Sequence, residues 1–387
     1  MPNRLQPDRL SSLDAFRGFT IAAMMLVNNP GDWNHLYPQL EHAQWNGWTF
    51  TDWVFPFFLF ISGVSMSLSL SHLLAQGVPR SQRLHKLCVR ALWVFAIGFA
   101  LNLFPYFNFA TVRIPGVLQR IALCTLVAAP IVVYAGWRRQ CAAIAALFVL
   151  YTGLMLGLPV PDAQGVVAAG VLEPGRDAGA FVDRWLMGRH LWVSSKIWDP
   201  EGLVSTLPAI ASLLFGALTG QWLLQRGANK AAQTVWMVLA GLACLWLGAM
   251  LDSTLMPINK SLWTVSYCVF MTGWALLTFS AFYWLLDAAD SGKLRDASAR
   301  CFKPLVIYGM NALFLFALSG VIGKLLVYIK FDQPTGPPLA LKAVLFAPLQ
   351  ALPLAPVNAS LLFALAFNLL MFSVAWLMWR KRWFVKV

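Results

Sequence analysis

The sequence predicts an all-α fold, a polytopic integral membrane helical bundle with about ten transmembrane helices plus a short re-entrant or interfacial segment. Two observations predict it. Hydrophobic residues make up 59% of the 387 and charged residues only 12%, where a soluble chain carries about 25% charged residues. Apolar runs close to the ~20 residues that cross a bilayer also recur along nearly the whole chain.

The first span is expected at 11–29. Arg4 and Arg9 precede it as in a signal peptide, but Asp14 and Arg17 interrupt the run and no small-residue cleavage site follows, so the helix is retained. Asp14 and Arg17 lie one turn apart, an ion pair that eases insertion. Spans follow at 52–74, 88–106, 116–135 and 140–158, then at 204–225, 233–251, 262–286, 303–328 and 359–379. Residues 339–352 are apolar, but the segment is short and is broken by Pro348 between Pro337, Pro338 and Pro353. That suits a re-entrant or interfacial piece. No repeat or second domain is evident, so 1–387 reads as one transmembrane domain. The loop 159–203, rich in Gly, Pro and charge, lies within it and could cover a site.

Loop charge orients the bundle. Eighteen basic residues fall in alternate loops and at the ends: Arg4, Arg9, Arg80, Arg83, Lys86, Arg90, Arg138, Arg139, Arg226, Lys230, Lys293, Arg295, Arg300, Lys303, Arg380, Lys381, Arg382 and Lys386. The opposite loops hold eight: Arg113, Arg176, Arg184, Arg189, Lys196, Lys260, Lys330 and Lys342. Positive-inside asymmetry then puts both termini in the cytoplasm. The net charge of +13 belongs to this pattern. No RNA- or DNA-binding motif accompanies it, so nucleic acid is not an expected partner. The six cysteines fall within spans or at their basic ends, which argues against a disulfide framework.

The stretch 40–63, LEHAQWNGWTFTDWVFPFFLFISG, concentrates the chemistry. His42 and the polar residues Asn46, Thr49, Thr51 and Asp52 stand directly before a span with no charge from Val54 to Leu70. Such groups are costly to desolvate, and catalysis at the membrane face is one reason to keep them. A lone loop histidine is usually just solvated. Here Glu41, Asn46 and Asp52 adjoin it, and Asn28 and Asn29 end the preceding span on the same side. A histidine beside a carboxylate serves as general base or nucleophile near neutral pH. An amide such as Asn28 can donate to a developing oxyanion. For Asp52 two roles stay open, capping the helix that follows and orienting His42.

The remaining candidates are binding residues. Arg120, beside Gln119 in RIPGVLQRIAL, lies inside span four and is expected to pair with a carboxylate or a ligand. DPEGLVSTLP (199–208) and PINKSLW (257–263) open spans six and eight, which sets Asp199, Asn259 and Lys260 at helix mouths able to hold anions. Asn311, in YGMNA, falls within span nine. With Asn46 these complete the candidate binding set. Walker A, HExxH, CxxC and GxSxG sequences are absent, so ATPase, zinc-protease and serine-hydrolase signals are missing. His35, His42 and His190 have irregular surroundings for a metal site, and no metal is expected.

RLSSLDAFRGFTIAAMMLVNNPG, HAQWNGWTFTDWVFPFFLFISG, RIPGVLQRIAL, DPEGLVSTLPAI, PINKSLWTVSY and YGMNALF, in this order, resemble the heparan-alpha-glucosaminide N-acetyltransferase family and its bacterial relatives of the NagX type. The resemblance runs from Arg9 to the last helix. It implies a membrane enzyme that takes acetyl groups from cytoplasmic acetyl-CoA and delivers them to an amino sugar across the membrane. It implies His42 as the active histidine and matches Asn28 to the asparagine that ends the family's first matching helix. The animal enzymes carry a large N-terminal lumenal segment and a preceding helix that this sequence lacks, so a smaller glucosamine-containing sugar is expected in place of heparan sulfate. The expected partners are acetyl-CoA, an amino-sugar acceptor, the lipid bilayer and, optionally, a second copy in a homodimer; the expected location is the bacterial inner membrane. Two alternatives remain open on the residues alone: an amino-sugar transporter, and an O-acyltransferase acting on an envelope polysaccharide or lipid.

Overall fold

The computed structural model describes residues 10–225, 229–333 and 336–385. Arg4, Arg9, Arg226 and Lys386 of the charge pattern lie outside these residues. The helices are α1 (Ser11–Asn28), α2 (Val54–Ala75), α3 (Arg80–Leu103), α4 (Val117–Tyr134), α5 (Trp137–Gly157), α6 (Ala178–Met187), α7 (Thr206–Leu223), α8 (Lys230–Thr254), α9 (Val265–Tyr283), α10 (Gly292–Cys301), α11 (Lys303–Met310), α12 (Ala312–Tyr328), α13 (Leu341–Gln350) and α14 (Pro356–Arg380). A π-helical turn, Trp284–Ala288, prolongs α9. Two short antiparallel hairpins, Val160–Pro161 with Val167–Ala168 and Lys330–Phe331 with Leu339–Ala340, are the only strands among the described residues.

Among the described residues eight helices are long and apolar enough to cross a membrane, or up to nine if the bent pair α11–α12 counts as one. The chain is thus a polytopic helical membrane protein, with fewer such spans than the ten expected. Helix α1 is not among them. Asp14 and Arg17 stand in its first two turns, joined at 3.1 Å. It nevertheless lies inside the bundle, with Ala15, Phe16, Ile21 and Met25 fully buried.

Burial separates the core from the lipid-facing helices. In the apolar windows of the α2, α7 and α9 spans 67%, 61% and 61% of residues are buried, against 22% for α3, α5 and α8. Hydrocarbon gives helices no hydrophobic reason to associate, so small residues that let backbones touch decide the packing. A Cβ on Gly63 of α2 would lie 1.9 Å from the Leu213 carbonyl oxygen of α7, and one on Gly216 of α7 2.0 Å from that of Phe60. Gly18 of α1 and Gly309 of α11 make a second such seam: their added Cβ atoms would stand 1.7 Å from the Leu305 oxygen and 2.0 Å from the Asp14 oxygen.

The expected span 303–328 is long and apolar enough to cross only as a bent pair: it is two helices at 79°, with Asn311 at the break. The Asn311 amide donates to the Trp383 carbonyl at 3.0 Å and accepts from the Val385 amide at 3.0 Å. Its side chain clamps the segment after α14 and is already engaged at both ends. The 339–352 segment contains α13, a short apolar helix as its length suggested.

Candidate active site

The loops α1–α2, α3–α4, α5–α7 and α8–α9 meet at one end of the bundle. Before α2 the chain makes a 3-10 turn, Phe50–Trp53, started by a reciprocal capping box of Thr49 and Asp52. The Asp52 side chain is 1% exposed. Its Oδ2 accepts from the backbone amides of Thr49 at 3.0 Å and Ala43 at 3.2 Å. Its Oδ1 lies 2.7 Å from Nδ1 of His42, while the Tyr267 hydroxyl donates to its carbonyl oxygen at 2.7 Å. Asp52 therefore caps the turn and holds the histidine at once, one oxygen for each. In a neutral ring whose Nδ1–H donates to Asp52, Nε2 carries the lone pair, and the half-exposed side chain presents it outward.

Lys260 completes the cluster from the far end of the chain. Its Nζ lies 3.2 Å from Nδ1 and 3.1 Å from Nε2 of His42, and 4.0 Å from Oδ1 of Asp52. The α8–α9 loop that carries it is pinned on both sides. Asn259, fully buried, donates to Asn46 Oδ1 at 3.1 Å and accepts from the Leu262 amide at 2.9 Å. The Gly47 amide donates to the Ile258 carbonyl at 2.7 Å. Burial lowers the Lys260 pKa, opposed by the charges of Asp52 and Glu201. Asn46 and Asn259 thus join the two loops to each other and hold Lys260 against the ring.

Behind this cluster lies a buried ion-pair network. Arg113, in the α3–α4 loop, donates to both carboxylate oxygens of Asp199 at 2.8 and 2.5 Å and also to Glu201. Burial alone would lower the Arg113 pKa; the two carboxylates raise it. Burial likewise opposes ionisation of Glu201, but the charges of Arg113 and Arg120 hold its pKa below the usual range. With both carboxylates taken, Arg120 has no ion pair among the described residues, so of the two partners expected for it, a carboxylate or a ligand, the carboxylate is corrected. It donates to the Gly202 carbonyl at 3.0 Å and to the Ser205 hydroxyl, and its flat face lies 5.2 Å from the Trp263 ring and 5.8 Å from that of Phe55. Its Nε and Nη1 have no hydrogen-bond partner among the described residues. Asp183 of α6 accepts from the Leu203 amide at 2.9 Å, and burial pushes its pKa up to about 7. The 159–203 segment is folded onto this end: Trp45 donates to the Leu172 carbonyl at 2.8 Å and packs edge-on against Trp198.

Asn28 is elsewhere. It is exposed at the end of α1 and lines a cavity of about 510 Å³ with Asn29, Trp33, Asn102, Tyr106 and Lys324, whose walls do not include His42. No hydrogen bond joins Asn28 to His42 among the described residues. A second cavity, about 450 Å³, lies further along α1, α3 and α12 and has Arg17, Ser65 and Arg90 in its wall. Phe316 lines both. Gln119 faces neither cavity. It is 3% exposed, packed between Gly98 and Gly116. His35 pairs with Asp32 at 2.7 Å and His190 with the Val112 carbonyl at 2.7 Å.

The structure thus brings together His42, Asp52, Asn46, Asn259 and Lys260, with Asp199 and Arg120 behind them, and leaves Asn28, Gln119 and Asn311 apart. Sequence reasoning missed Tyr267, Arg113, Glu201 and Asp183 as members. Tyr267 and Glu201 lie inside the motifs PINKSLWTVSY and DPEGLVSTLP, which was the available signal. Arg113 showed only as one loop charge.

Fold and site define a class: a polytopic helical membrane protein whose loops gather a histidine–carboxylate pair and a lysine over a buried ion-pair network. Residues 9–250 match the family model for heparan-alpha-glucosaminide N-acetyltransferase, catalytic, and the chain belongs to that family. It is 29% identical over 333 residues to the human heparan-alpha-glucosaminide N-acetyltransferase, covering 73% of this chain and 49% of the relative. To the mouse protein of the same name it is 28% identical over 337 residues, covering 73% and 50%. The chain spans about half the length of the curated relatives it matches.

Proposed function

We propose that this protein is a transmembrane acetyltransferase that moves an acetyl group from cytoplasmic acetyl-CoA to the amine of a glucosamine-type sugar on the outer side of a bacterial inner membrane, with both termini cytoplasmic and 1–387 acting as one domain. The relatives' names supply the acetyl group and the amino sugar. The observation that carries the reading is the 2.7 Å pairing of His42 with buried Asp52. It supports the tautomer in which Nδ1–H donates to the carboxylate, leaving Nε2 either to take a proton from the acceptor amine or to carry the acetyl group.

The cavities support a route for the donor. Coenzyme A is bulky and polyanionic, and moving charge through hydrocarbon is costly. Arg90 makes no ion pair among the described residues, and with Arg17 it lines the cavity further from Asn28. There the two arginines would meet coenzyme phosphates while the rest of the wall takes the apolar arm. From Arg17 to Asn28 the rise along α1 is about 16 Å at ~1.5 Å per residue, so a donor anchored by its phosphates would extend its thioester toward the other cavity. Asn28 would there offer its amide to the acetyl group on its way to His42, where the transfer itself takes place.

The test is thioester turnover by the purified protein with acetyl-CoA, with and without glucosamine. Glucosamine-dependent release of coenzyme thiol is expected. His42→Ala is expected to fold and to lower turnover by ~10²–10⁴-fold, the cost of losing a general base. A wild-type protein that binds amino sugar but never releases thiol would return the transporter reading to first place, and hydroxyl acceptors outrunning amines would favour O-acylation.

A further inference from the structure

We infer that Lys260 is a catalytic residue, the donor that meets the acetyl carbonyl oxygen when its carbon turns tetrahedral. The inference rests on the acetyl-transfer reading and names a further group for it. The family match ends at residue 250, before the loop that carries this lysine.

The geometry of the pair makes the case. Nζ stands nearly equidistant from the two ring nitrogens of His42, at 3.2 and 3.1 Å. In the ring plane that position would collide with the carbon between them, so the ammonium lies over the ring face. It therefore blocks neither lone-pair direction, and Nε2 stays open within the plane. An ammonium has three N–H donors. Among the described residues no oxygen accepts a hydrogen bond from it, and the carboxylate it pairs with, Asp52 Oδ1, stands 4.0 Å away. Donor capacity is left for an oxygen that arrives later. The aim is built in: Asn259 fixes the loop through its side chain and backbone, and the Trp263 amide closes the turn onto the Lys260 carbonyl at 3.1 Å.

The chemistry then favours the transition state over the ground state. In the carrier route Nε2 attacks the thioester carbon, the C–S bond breaks and the thiolate leaves to take a proton. The acceptor amine next attacks the acetyl carbon, the bond to Nε2 breaks, and the amine proton passes to the freed Nε2. In the direct route the amine attacks the thioester carbon, Nε2 takes its proton, and the C–S bond breaks with its electron pair leaving on the thiolate, which then takes that proton from Nε2. An acetyl group conjugated with the imidazole is coplanar with it, and its oxygen leaves that plane only as the carbon becomes tetrahedral. A cation above the plane meets it there. Interactions gained only at that point raise kcat, whereas equal binding of both states would not.

The experiment measures kcat and KM for acetyl-CoA and glucosamine with wild type, Lys260→Met and Lys260→Cys, the last before and after aminoethylation with bromoethylamine. Treated wild type controls for the native cysteines, and thermal unfolding reports folding. A loss in kcat of ~10²–10³-fold is expected for Lys260→Met, as for removal of one oxyanion donor, with KM within a few-fold. Aminoethylated Lys260→Cys should regain most of the rate. An undiminished kcat, a loss confined to KM, or aminoethylation that restores nothing would overturn the role of Lys260. If Lys260→Met fails to fold, the Cys pair decides. Wild type with no thioester turnover would instead overturn the acetyl-transfer reading beneath it.

Discussion

Asp52 binds His42 with one carboxylate oxygen and the start of its own helical turn with the other. The two functions can be separated by substitution. Asn at 52 keeps an oxygen for the cap but offers an amide where the ring needs an acceptor. Asp52→Asn is expected to stay folded and lose turnover by ~10²–10⁴-fold, because it inverts the tautomer. Asp52→Ala should lose about 1 kcal/mol of stability as well, the usual worth of a cap. Equal rates for Asp52→Asn and wild type would exclude an orienting role.

Arg113 is expected to be structural. It neutralises Asp199 and Glu201, whose side chains are 0% and 9% exposed. Arg113→Met leaves both carboxylates buried and should cost about 3–5 kcal/mol, read as a lowered thermal midpoint in detergent. A midpoint within a degree of wild type would show the network to be solvated.

Asp183 should make stability fall with rising pH. Burial sets its folded pKa near 7, above the unfolded carboxyl value of about 3.9. Between those values the folded state holds a proton that the unfolded state has lost, so stability declines from about pH 4 and bottoms out above 7. Asp183→Asn keeps an acceptor for the Leu203 amide and removes the charge. It should match wild type near pH 4 and exceed it at pH 8, by at most about 4 kcal/mol. Melting curves across pH 4–8 check this; a variant less stable than wild type at pH 8 would contradict it.

Arg90→Gln should weaken acetyl-CoA binding about ten- to a hundredfold, the worth of one hydrogen bond to a charged group, and flatten its dependence on ionic strength. Equilibrium binding at low and high salt measures both. An unchanged affinity would remove the coenzyme from that cavity.

What the sequence disclosed and withheld follows from chain separation. The spans were legible because each is a local apolar run, and His42 with Asp52 because only ten positions separate them. Lys260 is 218 positions from the histidine it faces, and Arg113 is 88 from Glu201; local patterns carry no trace of such pairings. The bend at Asn311 was hidden for the same reason. Its amide partners lie 72 and 74 residues downstream, and in the sequence it is one polar residue in an apolar run. The dual use of Asp52 was half visible, since Thr49, Thr51 and Asp52 signalled a helix start but not which oxygen did what.

Phe316 stands in the walls of both cavities, so a single ring borders two separate chambers. A side chain in that place governs how far one chamber is open to the other: as a phenyl it fills part of the boundary, and shortened to Ala it would leave more room for their contents to meet. His42 and Lys260 line neither chamber, so Phe316→Ala would alter that communication without touching the cluster around the histidine.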